Sequence, residues 1–123
     1  MTLRYVTWET DQPIPLLAGQ VEARGEAFPQ VRDPLRAATA GDTGTLIAHI
    51  QAALVQSLIE VLQGMEPSLD QLIGLRDDVA STVLVSANMK LRSIGVTLLD
   101  LTIIEMKGES RITPAPPTSP DYA

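Results

Sequence analysis

Residues 43–63, TGTLIAHIQAALVQSLIEVLQ, constrain the fold more than any other stretch. At 100° per residue, His49, Gln56, Glu60 and Gln63 fall on one narrow polar strip, and two apolar stripes fill the rest of the helix. The first holds Ile47, Ile50, Leu54, Leu58 and Val61; the second holds Ala48, Ala52, Val55, Ile59 and Leu62. A helix lying on a sheet buries one such stripe. The other needs a separate cover. In a chain of 123 residues, enough for one compact domain, the expected cover is a second subunit. Which stripe faces the sheet is left open by the pattern. The same region is the most apolar of the chain, but His49, Gln51, Gln56 and Glu60 would be costly in lipid, so a core helix is expected rather than a membrane span.

Shorter elements surround this helix. LRYVTWE alternates Leu3, Tyr5 and Thr7 against Arg4, Val6 and Trp8, as a strand does. Pro13 and Pro15 cannot donate to a ladder and restrict that stretch to an extended edge. A second strand is expected over residues 20–28, with a bulge at Gly25 and with Pro29 ending ladder donation or lying on an edge. Asp33-Pro34 opens a short helix that stops at Gly41, and Asp42 or Thr43 caps the long one. SLDQ, residues 68–71, has capping-box spacing and starts a short helix that Gly74 interrupts. A longer helix follows, with Asp77 and Asp78 in its first turn, an apolar stripe of Val79, Val83, Ala87, Leu91 and Ile94, and Gly95 as its left-handed terminator.

The last strand, from residue 96, contains a phase slip. Val96 and Leu98 alternate inward, residues 99 and 100 intervene, and the alternation resumes one step out of phase at Leu101, Ile103 and Glu105, with Met106 a further inward candidate beyond. That is the pattern of a β-bulge, which keeps Asp100 at the surface; a strand buried on both faces would also tolerate it, although Asp100 and Thr102 argue against that. The order strand, strand, helix, helix, helix, strand predicts an α+β domain: a small, mainly antiparallel sheet with helices packed on one face. We place this domain at residues 1–108. Residues 109–123, with Pro114, Pro116, Pro117 and Pro120, form a proline-rich tail expected to be disordered or polyproline-like.

These motifs, in order, resemble the SPFH (band 7) domain of stomatins, prohibitins and flotillins. Gly25-x5-Val31-x-Asp33-Pro34 resembles that family's strand ending in V-x-D-P before a helix. ALVQSLIEVLQGMEPSLDQLIGLRDDVASTV, residues 53–83, resembles its long helix, turn, short helix and acidic helix start. The slip after Gly95 resembles its closing strand, and Trp8-x-Thr10-x-x-Pro13-Ile14-Pro15 is most similar to the bacterial virion-core-like branch. The likeness covers about residues 5–107. Family members normally carry more strands before this point, often a membrane-inserted segment ahead and a coiled coil behind. This sequence opens inside the domain and closes in prolines, so neither membrane attachment nor coiled-coil assembly is implied. What the resemblance implies is side-by-side packing into rings, cages or arrays.

Chemistry is sparse. Nine basic against fifteen acidic side chains, net −6, disfavours nucleic acid as a partner. Cysteine is absent, which removes disulfides, thiolate metal sites and cysteine nucleophiles. His49, the only histidine, has Ser57 two turns away and Glu60 too far along the helix to orient it. Asp77 and Asp78 diverge by about 100° on a helix, as dipole partners rather than an acid–base pair. No His/Asp/Glu spacing suggests a metal. Gly41-Asp42-Thr43-Gly44 lacks a lysine and carries Asp42, so it is a helix cap and not a phosphate loop. Trp8 is expected as a core or interface anchor.

The expectation is therefore a non-enzymatic, self-associating cytoplasmic scaffold with no cofactor and no metal. Its oligomer interface would be Ala48, Ala52, Val55, Ile59 and Leu62, with itself as partner and peripheral membrane association left open. The alternative is an adaptor that recruits another protein through its helical face or through Pro114, Pro116, Pro117 and Pro120.

Overall fold

The computed structural model describes residues 4–110. Four strands, β1 (Val6–Glu9), β2 (Ile14–Pro15), β3 (Gly19–Val31) and β4 (Val96–Ser110), form one sheet in which every pairing is antiparallel. Between β3 and β4 run α1 (Pro34–Ala40), α2 (Thr43–Met65) and α3 (Leu72–Leu91), with single 3-10 turns at Leu69–Gln71 and Arg92–Ile94. The α+β expectation holds, with helices packed against strands.

β3 organises the sheet. β4 runs along its whole length on one side, while β1 and β2 share the other side, opposite residues 24–27 and 20–21. The sheet is thus three strands wide, with β4 as one edge. Inward residues of β3 (Val21, Ala23, Ala27) are buried and alternate with exposed Glu22, Arg24 and Phe28. Tyr5 stacks at a tilt on Phe28 on the outer face, centroids 6.2 Å apart.

The slip in β4 is a bulge. Phe28 pairs with Asp100 and Pro29 with Leu98, so Leu99 is the extra residue; Leu98 and Leu101 are both buried, as the phase change requires. A second bulge follows at Ile104, because Arg24 pairs with Glu105 but Gly25 with Ile103. It turns Met106 back toward the core and sits opposite Gly25, the glycine singled out in the sequence. A Cβ on Gly25 would collide with the Thr102 carbonyl and lie 2.8 Å from Trp8 Cζ2.

β3 does not end at residue 28; it continues through Pro29 to Val31. The ladder explains why. Thr10 N–H donates to the Ala23 carbonyl (2.9 Å) and Ala23 N–H to Thr10 Oγ1 (3.2 Å), so odd-numbered β3 residues direct their backbone polar groups toward β1. Pro29 is odd and lies beyond β1's first residue, where no ladder bond is lost.

The helices follow their caps. Asp33 accepts from Arg36 N–H (3.2 Å) and Asp42 from Thr45 N–H (2.8 Å), each one residue ahead of its helix. Gly95 terminates the α3 end at φ 72°, and its carbonyl accepts from both Arg32 and Asp33 N–H, tying α1 to the start of β4. Gly74 does not interrupt the third helix. α3 runs unbroken from Leu72 to Leu91, so Asp77 and Asp78 lie in its second turn and its first turn contains no acidic residue. A glycine in a helix costs about 1 kcal/mol, which burial of Leu72 outweighs. β4 likewise continues through residues 107–110, paired with residues 19–22, so the ordered domain passes the expected boundary at 108.

α2 supplies the centre of the core: Leu46, Ile50, Leu54, Leu58 and Leu62 are all buried. Among the described residues it is the one helix long and apolar enough to cross a bilayer, and its inner face is packed against β1 and α3.

Candidate functional site

The structure resolves which stripe of α2 faces inward. Ile50, Leu54 and Leu58 pack into the core, with Ile47 and Val61 at its margin. Of the second stripe, Ala48 and Ala52 are exposed and Val55 and Ile59 are half-buried, whereas Leu62 is fully buried. Leu62 therefore leaves the expected interface. The outward row shrinks to four residues, Ala48, Ala52, Val55 and Ile59.

Those four residues form one wall of an open groove of about 840 Å³. The other wall is sheet: Thr7, Glu9, Arg24, Glu26 and the bulge residue Ile104, with Trp8 and Gly25 deeper. The groove exists because α2 runs beside the β1–β2 edge and is fastened to it. Gln51 Nε2 donates to the Thr7 carbonyl (2.9 Å) and Gln63 Nε2 to the Pro15 carbonyl (3.1 Å). Glu66, the left-handed residue that ends α2, accepts from Leu17 N–H at 2.8 Å. These side chains occupy carbonyls and an amide that would otherwise lie open on that edge.

The opposite edge has a comparable device. Asn88 of α3 receives Leu98 N–H on Oδ1 (2.6 Å) and donates from Nδ2 to the Leu98 carbonyl (3.1 Å), as a neighbouring strand would. Asp100 accepts from Leu101 N–H at 2.9 Å. In the sequence Gln51 and Gln63 read only as polar groups of the long helix, and Asn88 drew no notice. A lone amide on a helix has no spacing signature, and its role appears only once a strand edge is beside it.

The other candidates resolve as structure. His49 is exposed, while Ser57 is buried in the core, so the two point apart. Asp77 and Asp78 are exposed, and no group of three His, Asp or Glu side chains that could hold a metal occurs among the described residues. Trp8 is a core residue; its Nε1 and the Ser57 Oγ are buried with no hydrogen-bond partner among the described residues. Two carboxylates titrate low. The Thr45 N–H holds the Asp42 carboxyl below its ordinary value, and the hydrogen bond from Arg24 (Nε to Oε1, 3.1 Å), aided by nearby Lys107, does the same for Glu105. Both serve as cap and cross-strand partner. Pro114, Pro116, Pro117 and Pro120 lie outside the described residues. No protein-family model matches the chain, and comparison with curated proteins finds no match either.

Proposed function

We propose that this protein is a self-associating structural component, a non-enzymatic scaffold whose copies pack laterally through the outward row of α2. The observation that carries the reading is that row: exposed Ala48 and Ala52 one turn apart, continued by half-buried Val55 and Ile59, on the helix whose other side builds the core. Two alanines let a second helix approach closely, and the apolar wall beside them gives it surface to bury. The resemblance to SPFH domains, which assemble side by side, supports the same reading.

The test is substitution within the row. Ala52→Glu places a charge on an exposed position and lowers the assembly state while leaving circular dichroism unchanged. Val55→Asp and Ile59→Asp also lower it, the latter with some loss of stability because Ile59 packs against the core. An Ala52→Glu chain that assembles as the wild type does removes α2 from the account.

Exposed Val85 and Met89, one turn apart on α3, favour a second reading as an adaptor that binds another protein through its helical face. Met89→Glu separates the two: it abolishes partner capture by an adaptor and leaves a scaffold's assembly intact.

A further inference from the structure

The helices α2 and α3 pack on one side of the sheet, and among the described residues nothing covers the other side. Register and burial say which side chains stand there. Val6 pairs with Ala27, which sets Tyr5 beside Phe28, and Phe28 pairs in turn with Asp100. Leu99, the extra residue of the first bulge, shares that step of the ladder. Leu98 and Leu101 turn into the core, while Leu99 and Asp100 are exposed on the outer face. Tyr5, Phe28 and Leu99 therefore form an exposed apolar row across all three strands. Ile104, the extra residue of the second bulge, adds a fourth exposed apolar side chain two rows further on. Single apolar residues on a surface are ordinary; a row of large ones on an uncovered face marks a contact surface.

The charge beside this row has one sign. Asp100 stands within it, Glu26 in the next row and Glu9 in the one after. Arg24 is the only cation in these three rows, and Glu105 holds it at 3.1 Å. Among the described residues no ion pair engages Glu9, Glu26 or Asp100. Shape and charge together select the occupant. Three strands about 4.8 Å apart span a width that one helix of about 10 Å diameter covers. A second copy is opposed by charge, because its own outer face carries the same carboxylates and the chain is net −6. Anionic lipid and nucleic acid are opposed for the same reason.

We infer that the outer face of the sheet docks a basic amphipathic helix of a different protein, its apolar stripe on Tyr5, Phe28 and Leu99 and its cations against Glu26, Glu9 and Asp100. Tyr5, Phe28 and Leu99 lie outside the groove that the α2 row lines, so the two surfaces are tested separately.

The probe is a fluorescein-labelled amphipathic helix of leucine and lysine, about 18 residues long so that it holds its helix, titrated with the full chain and followed by anisotropy. A leucine–glutamate helix of the same length is the control. The lysine helix binds saturably and loosens as salt rises, and the glutamate helix does not bind. Phe28→Ser, Leu99→Ser and Glu26→Lys each weaken the binding about tenfold with circular dichroism unchanged, whereas Val85→Ser on α3 leaves it as it was. A lysine helix that fails to saturate, or a glutamate helix that binds as tightly, overturns the inference. So do folded Phe28→Ser and Leu99→Ser chains that both bind as the wild type does, or a Val85→Ser chain that loses as much. An assembly mass that Phe28→Ser lowers means that a second copy occupies this face, and overturns it too. None of these outcomes bears on Ala52→Glu, by which the α2 reading stands or falls.

Discussion

Asn88 uses both ends of its amide on one backbone residue, and this makes it the most consequential polar side chain in the described structure. Leu98 sits beside a bulge on an edge strand, where its N–H and C=O have no strand to meet. Asn88→Ala strands both groups in a half-buried place and is expected to cost about 1–3 kcal/mol. In a domain of this size that lowers Tm by roughly 4–8 °C per kcal/mol, measurable by thermal unfolding. Asn88→Ala with an unchanged Tm would show that water replaces the amide without loss. Gly25 is the second such residue. Gly25→Ala drives a methyl group into the Thr102 carbonyl and against Trp8, so β3 and β4 must separate at the Ile104 bulge. Overpacking of this kind costs about 1–3 kcal/mol, seen as a lower denaturant midpoint. Gly25 was legible in the sequence because a glycine inside an alternating strand asks for a reason. Asn88 was not, since one asparagine on a helix resembles any surface polar group.

At the scale of elements, caps and periods carried most of the information. Asp33-Pro34, Asp42 and Gly95 each mark a helix end by local hydrogen bonding, and local chemistry is what a sequence displays directly. The slip after Leu98 was visible because a one-residue change of phase moves every later side chain to the other face. The three errors of extent share a cause: tertiary pairing outweighed local preference. Gly74 stays helical under the burial of Leu72, Pro29 stays in β3 because its nitrogen faces no partner, and residues 107–110 stay extended because residues 19–22 pair with them. The cap at α2 also predicts a pH dependence. Asp42 titrates below its ordinary value of 3.8 in the folded chain, so its stabilisation is complete above that pH and is lost as pH falls through the lowered value. Glu105 acts in the same direction from 4.5. Denaturant midpoints should therefore fall on acidification below about pH 4, and Asp42→Asn, which keeps an acceptor but does not titrate, should flatten that fall. An unchanged slope in Asp42→Asn would assign the acid sensitivity elsewhere.

At the scale of the molecule, two helices lie under one narrow sheet and guard its edges, α2 with Gln51 and Gln63, α3 with Asn88. The sequence exposed the surplus apolar surface of α2 but overstated it by one residue. Leu62 sits at the right angle on a helical wheel, yet in the folded chain it is fully buried and belongs to the core. What remains, Ala48, Ala52, Val55 and Ile59, is the surface on which the proposed self-association rests. The mass of the wild-type full chain in solution, followed by light scattering across the micromolar range, tests that claim most directly. The account predicts a mass above the 13.2 kDa of one chain throughout, rising with concentration. A constant 13.2 kDa would contradict it.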